Sequence, residues 1–295
     1  MAITTNTQAS AVVPEKWELM TLKHRYDNEV AAKRMKGATE TNLTSGDIYH
    51  FPVEDELSTE TLSAASMVFT PQTLDPEDKT VTVDQILSCS FEVSAVTQRQ
   101  SNIDLKESYS PAMGKSIAQE TDRLLLANTG SIAAGNIVGS ADSPSSFDED
   151  VAFAMLLKLS DAKLLSEKSN LSFFLPPIAL LEGLYKKDRW TTADKTGMPK
   201  SVLTTGFEFP IMGVPIYTTN QLAKTGGASS PYKIILAHRE WQGFVRQIKL
   251  DIREAERTSA LVLSDVKVAW SLFGYGQLRS TYASLSYINS QSKVG

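Results

Sequence analysis

The chain has 295 residues, of which 42% are hydrophobic and 21% charged, and its 29 basic and 34 acidic side chains leave a net charge of −5. That length can bury a full core in one large domain or two, and the balance is that of a globular protein expected to be soluble. No apolar run reaches the ~18 residues that cross a membrane, and the lack of surplus Lys and Arg argues against a primary role in gripping nucleic acid.

Residues 1–13 are mostly Thr, Ala, Asn and Ser, without the basic and apolar segments of a secretion signal, so an amino-terminal arm and synthesis inside the cell are expected. Pro14 opens a helical stretch whose Trp17, Leu19, Met20, Leu22 and Tyr26 form an apolar side able to pack on a neighbour. Gly46 starts an alternating run over 47–53, which Pro52 is expected to disturb. If that run pairs with the next one, the Ser-, Thr- and acid-rich residues between them become the far end of a hairpin standing off the body. Over 80–93 the odd positions Val81, Val83, Gln85, Leu87, Cys89, Phe91 and Val93 alternate with mostly polar ones. The pattern predicts one unbroken strand about 45 Å long.

A short polar link, 95–100, then leads to a long helix opening at Ser101, with Asp104 as its box partner and Gly130 as its stop. Its apolar stripe is Leu105, Tyr109, Met113, Ile117, Leu124 and Leu125, and Pro111 is expected to kink or restart it with Ser110 as cap. Small and flexible residues from Ser131 to Ser145 mark a boundary. Ser146 is then expected to cap a helix, with Glu149 as box partner and Val151, Met155, Leu159 and Ala162 buried. A buried strand at 171–175, a short helix at 178–187 with Pro177 at its first position, and an exposed loop at 191–200 follow. Strands are predicted at 207–212, 214–219 and 234–237, with a turn at Gly226-Gly227. Three alternating runs beginning at Phe244, Val262 and Leu278 close the chain, and the first is expected to return to the strand at 80–93.

Chemistry-bearing patterns are sparse. The three histidines, His24, His50 and His238, stand alone, and no HExxH, GxSxG, GxGxxG or GxxxxGK[ST] pattern occurs. The single cysteine, Cys89, is predicted to be a buried thiol. Glu54, Asp55 and Glu56, and Asp148, Glu149 and Asp150, read as solvated charge and a helix start, and the basic–aromatic run from Tyr185 to Trp190 as a helix end. No catalytic residue, cofactor or metal is expected. The enzymatic alternative is a hydrolase using His238 with a nearby carboxylate.

Taken in order, six pieces resemble the major capsid proteins of tailed bacteriophages with the Hong Kong 97 fold. They are V-P-E-K-W at 13–17, G-D-I-Y-H-F-P at 46–52, V-T-V-D-Q leading through F-E-V-S over 81–94, Q-S-N-I-D-L at 100–105, E-T-D-R-L-L-L at 120–126, and L-F-G-Y-G-Q-L-R at 272–279. The resemblance implies an α+β fold with an amino-terminal arm (1–45), an extended-loop β-hairpin (46–84), a peripheral domain carrying a long spine helix (85–130 and 246–295), and an axial domain (131–245). It also implies a non-enzymatic subunit that self-assembles as pentamers and hexamers into an icosahedral shell around double-stranded DNA, without sequence-specific binding or a membrane. Scaffolding, portal and decoration proteins are the further partners implied, and the virion capsid, assembled in host cytoplasm, is the implied location.

Contacts between subunits are expected at Trp17, Tyr26, Met67, Phe69, Asp194, Lys195 and Met198. One branch of the family joins its subunits by a Lys–Asn bond aided by a Glu. Lys79 could supply the amine, but 258–267 contains neither Asn nor Glu, so no crosslink is expected. An encapsulin-like compartment and a phage tail-tube protein are the structural alternatives.

Overall fold

The computed structural model describes residues 28–37, 46–53, 59–61, 71, 73, 77–100, 105–184, 210–227, 229–259 and 262–289. Within them lie three sheets. Strands β1 (Ile48–Val53) and β2 (Glu77–Thr82) form an antiparallel pair with Ile48 opposite Thr82 and Val53 opposite Glu77. The second sheet has the order β3-β9-β8, from β3 (Gln85–Ser94), β8 (Gln242–Ser259) and β9 (Val262–Gln277). The third is five-stranded in the order β4-β10-β7-β5-β6, from β4 (Ile137–Val138), β5 (Leu171–Leu175), β6 (Ile216–Thr218), β7 (Tyr232–His238) and β10 (Ala283–Ile288).

The predicted strand over 80–93 is two strands. β2 ends at Thr82, β3 begins at Gln85, and between them the Val83 amide donates to the Asp47 carbonyl at 2.7 Å. Side chains keep alternating through the break, with Leu87, Cys89, Phe91 and Val93 on the inner face, so periodicity cannot register that the chain has changed partners. Cys89 is half-buried there, more open than expected. Residues 95–100 are not a loop but helix α1 (Ala95–Gln100), which leaves β3 directly. β3 pairs with β9, not with β8, so β9 is the central strand of this sheet and β8 pairs with it from the other side.

Helix α2 (Leu105–Ala127) runs unbroken through Pro111, with Ser110 buried inside it and not acting as a cap. Losing one amide donor does not end a helix whose Met113 and Ile117 are held against Leu250 and Ala269 of the sheet below. Tyr109, placed on the buried stripe by its spacing, is exposed and rests against Phe91 with ring centroids 5.6 Å apart. Helix α3 (Glu149–Ser160) is capped by Asp148, whose Oδ1 accepts from the Val151 amide at 3.1 Å, not by Ser146. Pro177 does occupy the first position of the short helix α4 (Pro177–Ala179), which passes into a π turn over Leu180–Leu184. Pro52 sits inside β1, which among the described residues pairs only with β2, so its missing donor costs no ladder bond there.

Burial on both faces explains the continuous apolar strands of the third sheet. Leu171, Phe173 and Leu175 of β5, with Ile234 and Leu236 of β7, face Met155, Leu156 and Leu159 of α3. Phe174, Ile235 and Ala237 face the other way, into a core shared with Leu125 and Leu126 of α2, Phe244 of β8 and Phe273 of β9. β10, from the carboxy-terminal run, lies between β4 and β7 in this sheet.

Candidate functional site

Two chain segments converge on the base of the β8–β9 hairpin: the root of the amino-terminal segment and the root of the β1–β2 hairpin. The first contains a 3₁₀ turn, Ala32–Arg34, whose flanking residue Ala31 has no side-chain oxygen with which to cap it. Asp122 of α2 supplies the acceptor from a distance. Its Oδ1 accepts from the amides of Ala31 at 3.1 Å and Ala32 at 3.0 Å, and its Oδ2 from that of Val30 at 2.7 Å.

Beside it, Arg246 of β8 donates to Glu29 at 2.6 Å, with the two side chains 6% and 1% exposed. Burial pushes the Asp122 carboxyl up to about 6, and the Glu29 charge adds to the rise while the three amides oppose it. The segment then joins β8, the Lys36 amide donating to the Gln242 carbonyl at 3.1 Å and the Phe244 amide to the Lys36 carbonyl at 2.9 Å. Lys36 Nζ reaches Glu240 at 2.7 Å. Burial works to raise the Glu240 carboxyl, but the Lys36 hydrogen bond and the Lys36 and Arg279 charges hold it below its ordinary value.

The hairpin root is fitted onto glycines. A Cβ on Gly243 would lie 2.7 Å from the Phe51 ring, and one on Gly274 would lie 2.2 Å from the Thr82 carbonyl oxygen. Gly37, with φ +90, brings its backbone against the same Phe51 ring, so the two roots touch each other as well as β8. Val81, Val83, Val245 and Leu278 close the cluster around Phe51. The two roots, 28–37 and the β1–β2 pair, are therefore held in one packed joint.

All seven expected contact residues, Trp17, Tyr26, Met67, Phe69, Asp194, Lys195 and Met198, lie outside the described residues. So do the 191–200 loop, the acidic run at 54–56 and the basic–aromatic run at 185–190. What the structure adds is exposed apolar surface that the sequence reading left out. Leu157 on α3 is 67% exposed, Ile86 on the outer face of β3 65%, and Leu181 in the π turn 61%. Phe153 stands one turn before Leu157 on α3 and is exposed too.

His238 has a turn to hold. Its Nδ1 accepts from the Glu240 amide at 3.2 Å, which leaves Nε2 to donate to Glu167 at 3.3 Å, and its ring meets Tyr282 edge-on. Burial lowers its pKa although Glu167 works to raise it, so the ring is neutral near pH 7. Among the described residues no group of three or more His, Cys, Asp or Glu side chains is placed to hold a metal, and no helix is long and apolar enough to cross a membrane.

Asp122, Glu29, Arg246 and Phe51 escaped the sequence reading. Two of them carried a signal. Asp122 falls on the buried face of its helix, four residues after Ala118 and three before Leu125, and Arg246 falls in phase with Phe244, Ile248 and Leu250. A charge in an apolar register needs a partner.

No protein-family model matches the sequence, and no curated relative matches it. Solved structures do match in shape. One from Mycobacterium phage Che8 superposes with a TM-score of 0.68 at 19% identity, covering 88% of this chain and 90% of its own. The capsid structure of the cyanophage P-SCSP1u gives 0.63 at 17% identity, over 85% of this chain and 86% of its own. A virus-like particle from Pyrococcus furiosus gives 0.53 at 13% identity, over 92% of this chain and 98% of its own. The chain has the Hong Kong 97-type fold of phage major capsid proteins.

Proposed function

We propose that the chain is the major head protein of a tailed bacteriophage, self-assembling as pentamers and hexamers into an icosahedral shell that encloses double-stranded DNA. The role is structural and not enzymatic. The observation that carries this reading is a capsid fold, matched over 88% of the chain by one phage structure and 85% by another. Closed shells need contacts that repeat around rings, and arms or hairpins that reach a neighbour bury surface a monomer leaves wet. At ~25 cal/mol per Å² of apolar area, even a small overlap repeated at every subunit supports assembly after ordering costs.

We assign 1–45 to an arm, 46–84 to an extended loop, 85–130 with 246–295 to a peripheral domain and 131–245 to an axial domain, with β10 counted in the axial sheet it joins. Trp17, Tyr26, Met67, Phe69, Asp194, Lys195 and Met198 are the proposed contacts between copies, and the 191–200 loop faces the capsomer centre. A net charge of −5 suits a container that holds DNA without clinging to it. Scaffolding, portal and decoration proteins are the proposed partners, and the virion, assembled in host cytoplasm, the proposed location.

A second reading, a cellular compartment filled with protein cargo, draws support from the likeness to the Pyrococcus furiosus virus-like particle. Light scattering and negative-stain microscopy of the expressed chain are expected to show closed particles. Particles from infected cells holding DNA support the head-protein reading, co-purified protein cargo the compartment, stacked open rings a tail tube, and a monodisperse monomer none of these.

A further inference from the structure

We propose that the Asp122 carboxyl and the three backbone amides it holds form a proton-operated latch, which sets how firmly the amino-terminal root is fastened to α2. The geometry is that of a joint between two elements. The carboxyl sits in the interface, and its hydrogen-bond partners among the described residues are the amides of Val30, Ala31 and Ala32. Of the charged side chains around it, Glu29 faces it from the root itself and repels an ionised Asp122, while Arg246 from β8 is bonded to Glu29. On its own helix the nearest charges, Glu120 and Arg123, bond to each other on the outside. Ionised Asp122 is thus buried beside a second carboxylate, with amide dipoles as its hydrogen-bonding support.

The sign follows from where the proton is held. Docked, the carboxyl titrates at about 6. Released into water it returns to about 3.9. The docked root therefore keeps a proton that the released root gives up between those values. Docking strengthens as pH falls through 6, levels off below about 4, and is weakest above 6. From pH 7 to pH 5 the gain is about tenfold in the docking constant. Its consequence for a shell rests on the function proposed above, because an arm whose root is held about tenfold less firmly near neutral pH moves more readily toward a neighbour. The latch itself needs no shell.

Hydrogen exchange of the full chain, followed by mass spectrometry on peptides spanning 28–37 and corrected for the intrinsic rate, reads it in unassembled subunits. Protection is expected to rise about tenfold from pH 7 to pH 5, with peptides from β5 and β7 unchanged. Asp122→Asn should remove the slope, and Glu29→Gln should move its midpoint to lower pH. Wild-type protection at 28–37 that is flat with pH, or that merely follows β5, overturns the latch even where the Asn variant fails to fold. A slope surviving in a folded Asn variant overturns it too. Neither result bears on whether particles form.

Discussion

Arg246→Ala should destabilise the chain by about 3–5 kcal/mol, seen as a lower urea midpoint with an unchanged slope. The size follows from what the substitution leaves behind. Arg246 and Glu29 are almost wholly buried and bonded at 2.6 Å, so removing the guanidinium strands a carboxylate that already lies near a second one, Asp122. The Arg246 guanidinium also stacks on Phe244, 4.6 Å from its centroid, and that packing goes as well. A companion variant sharpens the attribution. Replacing both partners, Glu29→Leu with Arg246→Met, should recover most of the loss, because a buried ion pair is worth little beyond an apolar pair of similar volume. Comparisons must be made at one protein concentration, since self-association shifts apparent stability. A loss below about 1 kcal/mol for Arg246→Ala would mean that water reaches the pair and that the root is not clamped there.

Gly274→Ala should detach the β1–β2 hairpin and abolish particle formation while leaving the five-stranded sheet folded. The added methyl would lie 2.2 Å from the Thr82 carbonyl oxygen and 2.8 Å from both the Thr82 carbonyl carbon and the Val83 Cα. These are backbone atoms that cannot swing aside as a side-chain end would. β9 cannot retreat either, since Gly274 is paired with Val245 of β8. Relief comes only from moving β2, and we expect a cost of about 3 kcal/mol or more. Gly135→Ala is the control: nothing lies within 4 Å of the position a Cβ would take there. It should stay within about 0.5 kcal/mol of the wild type. Normal particle yield from Gly274→Ala would show that the hairpin root need not sit where it does.

What the sequence disclosed about the fold was local. Leu171–Leu175 emerged as a buried strand at the expected residues because five consecutive residues with no exposed face need no knowledge of their neighbours. The body of α2 and the inner face of β3 were legible for the same reason, each being a period within one segment. The identity of a strand's partner is not a property of that strand. Thus the break at Val83–Asp84, where the chain leaves one sheet for another, was invisible in an alternation that runs straight through it.

The joint was half-legible. Asp122 and Arg246 announce themselves as charges in apolar registers, but nothing near them in sequence points to Glu29 or to the amides of Val30, Ala31 and Ala32. Phe51 looks like any strand aromatic until Gly37 and Gly243 are seen against its ring.

Electron cryomicroscopy of the assembled particle would show whether the two segments reach sister subunits. Closed shells with five- and six-fold capsomers are expected, in which 46–84 and the amino-terminal arm of each subunit leave the joint at Phe51 and lie across adjacent copies. A map in which both segments fold back on their own subunit, or a protein that stays monomeric under every condition, would contradict that expectation.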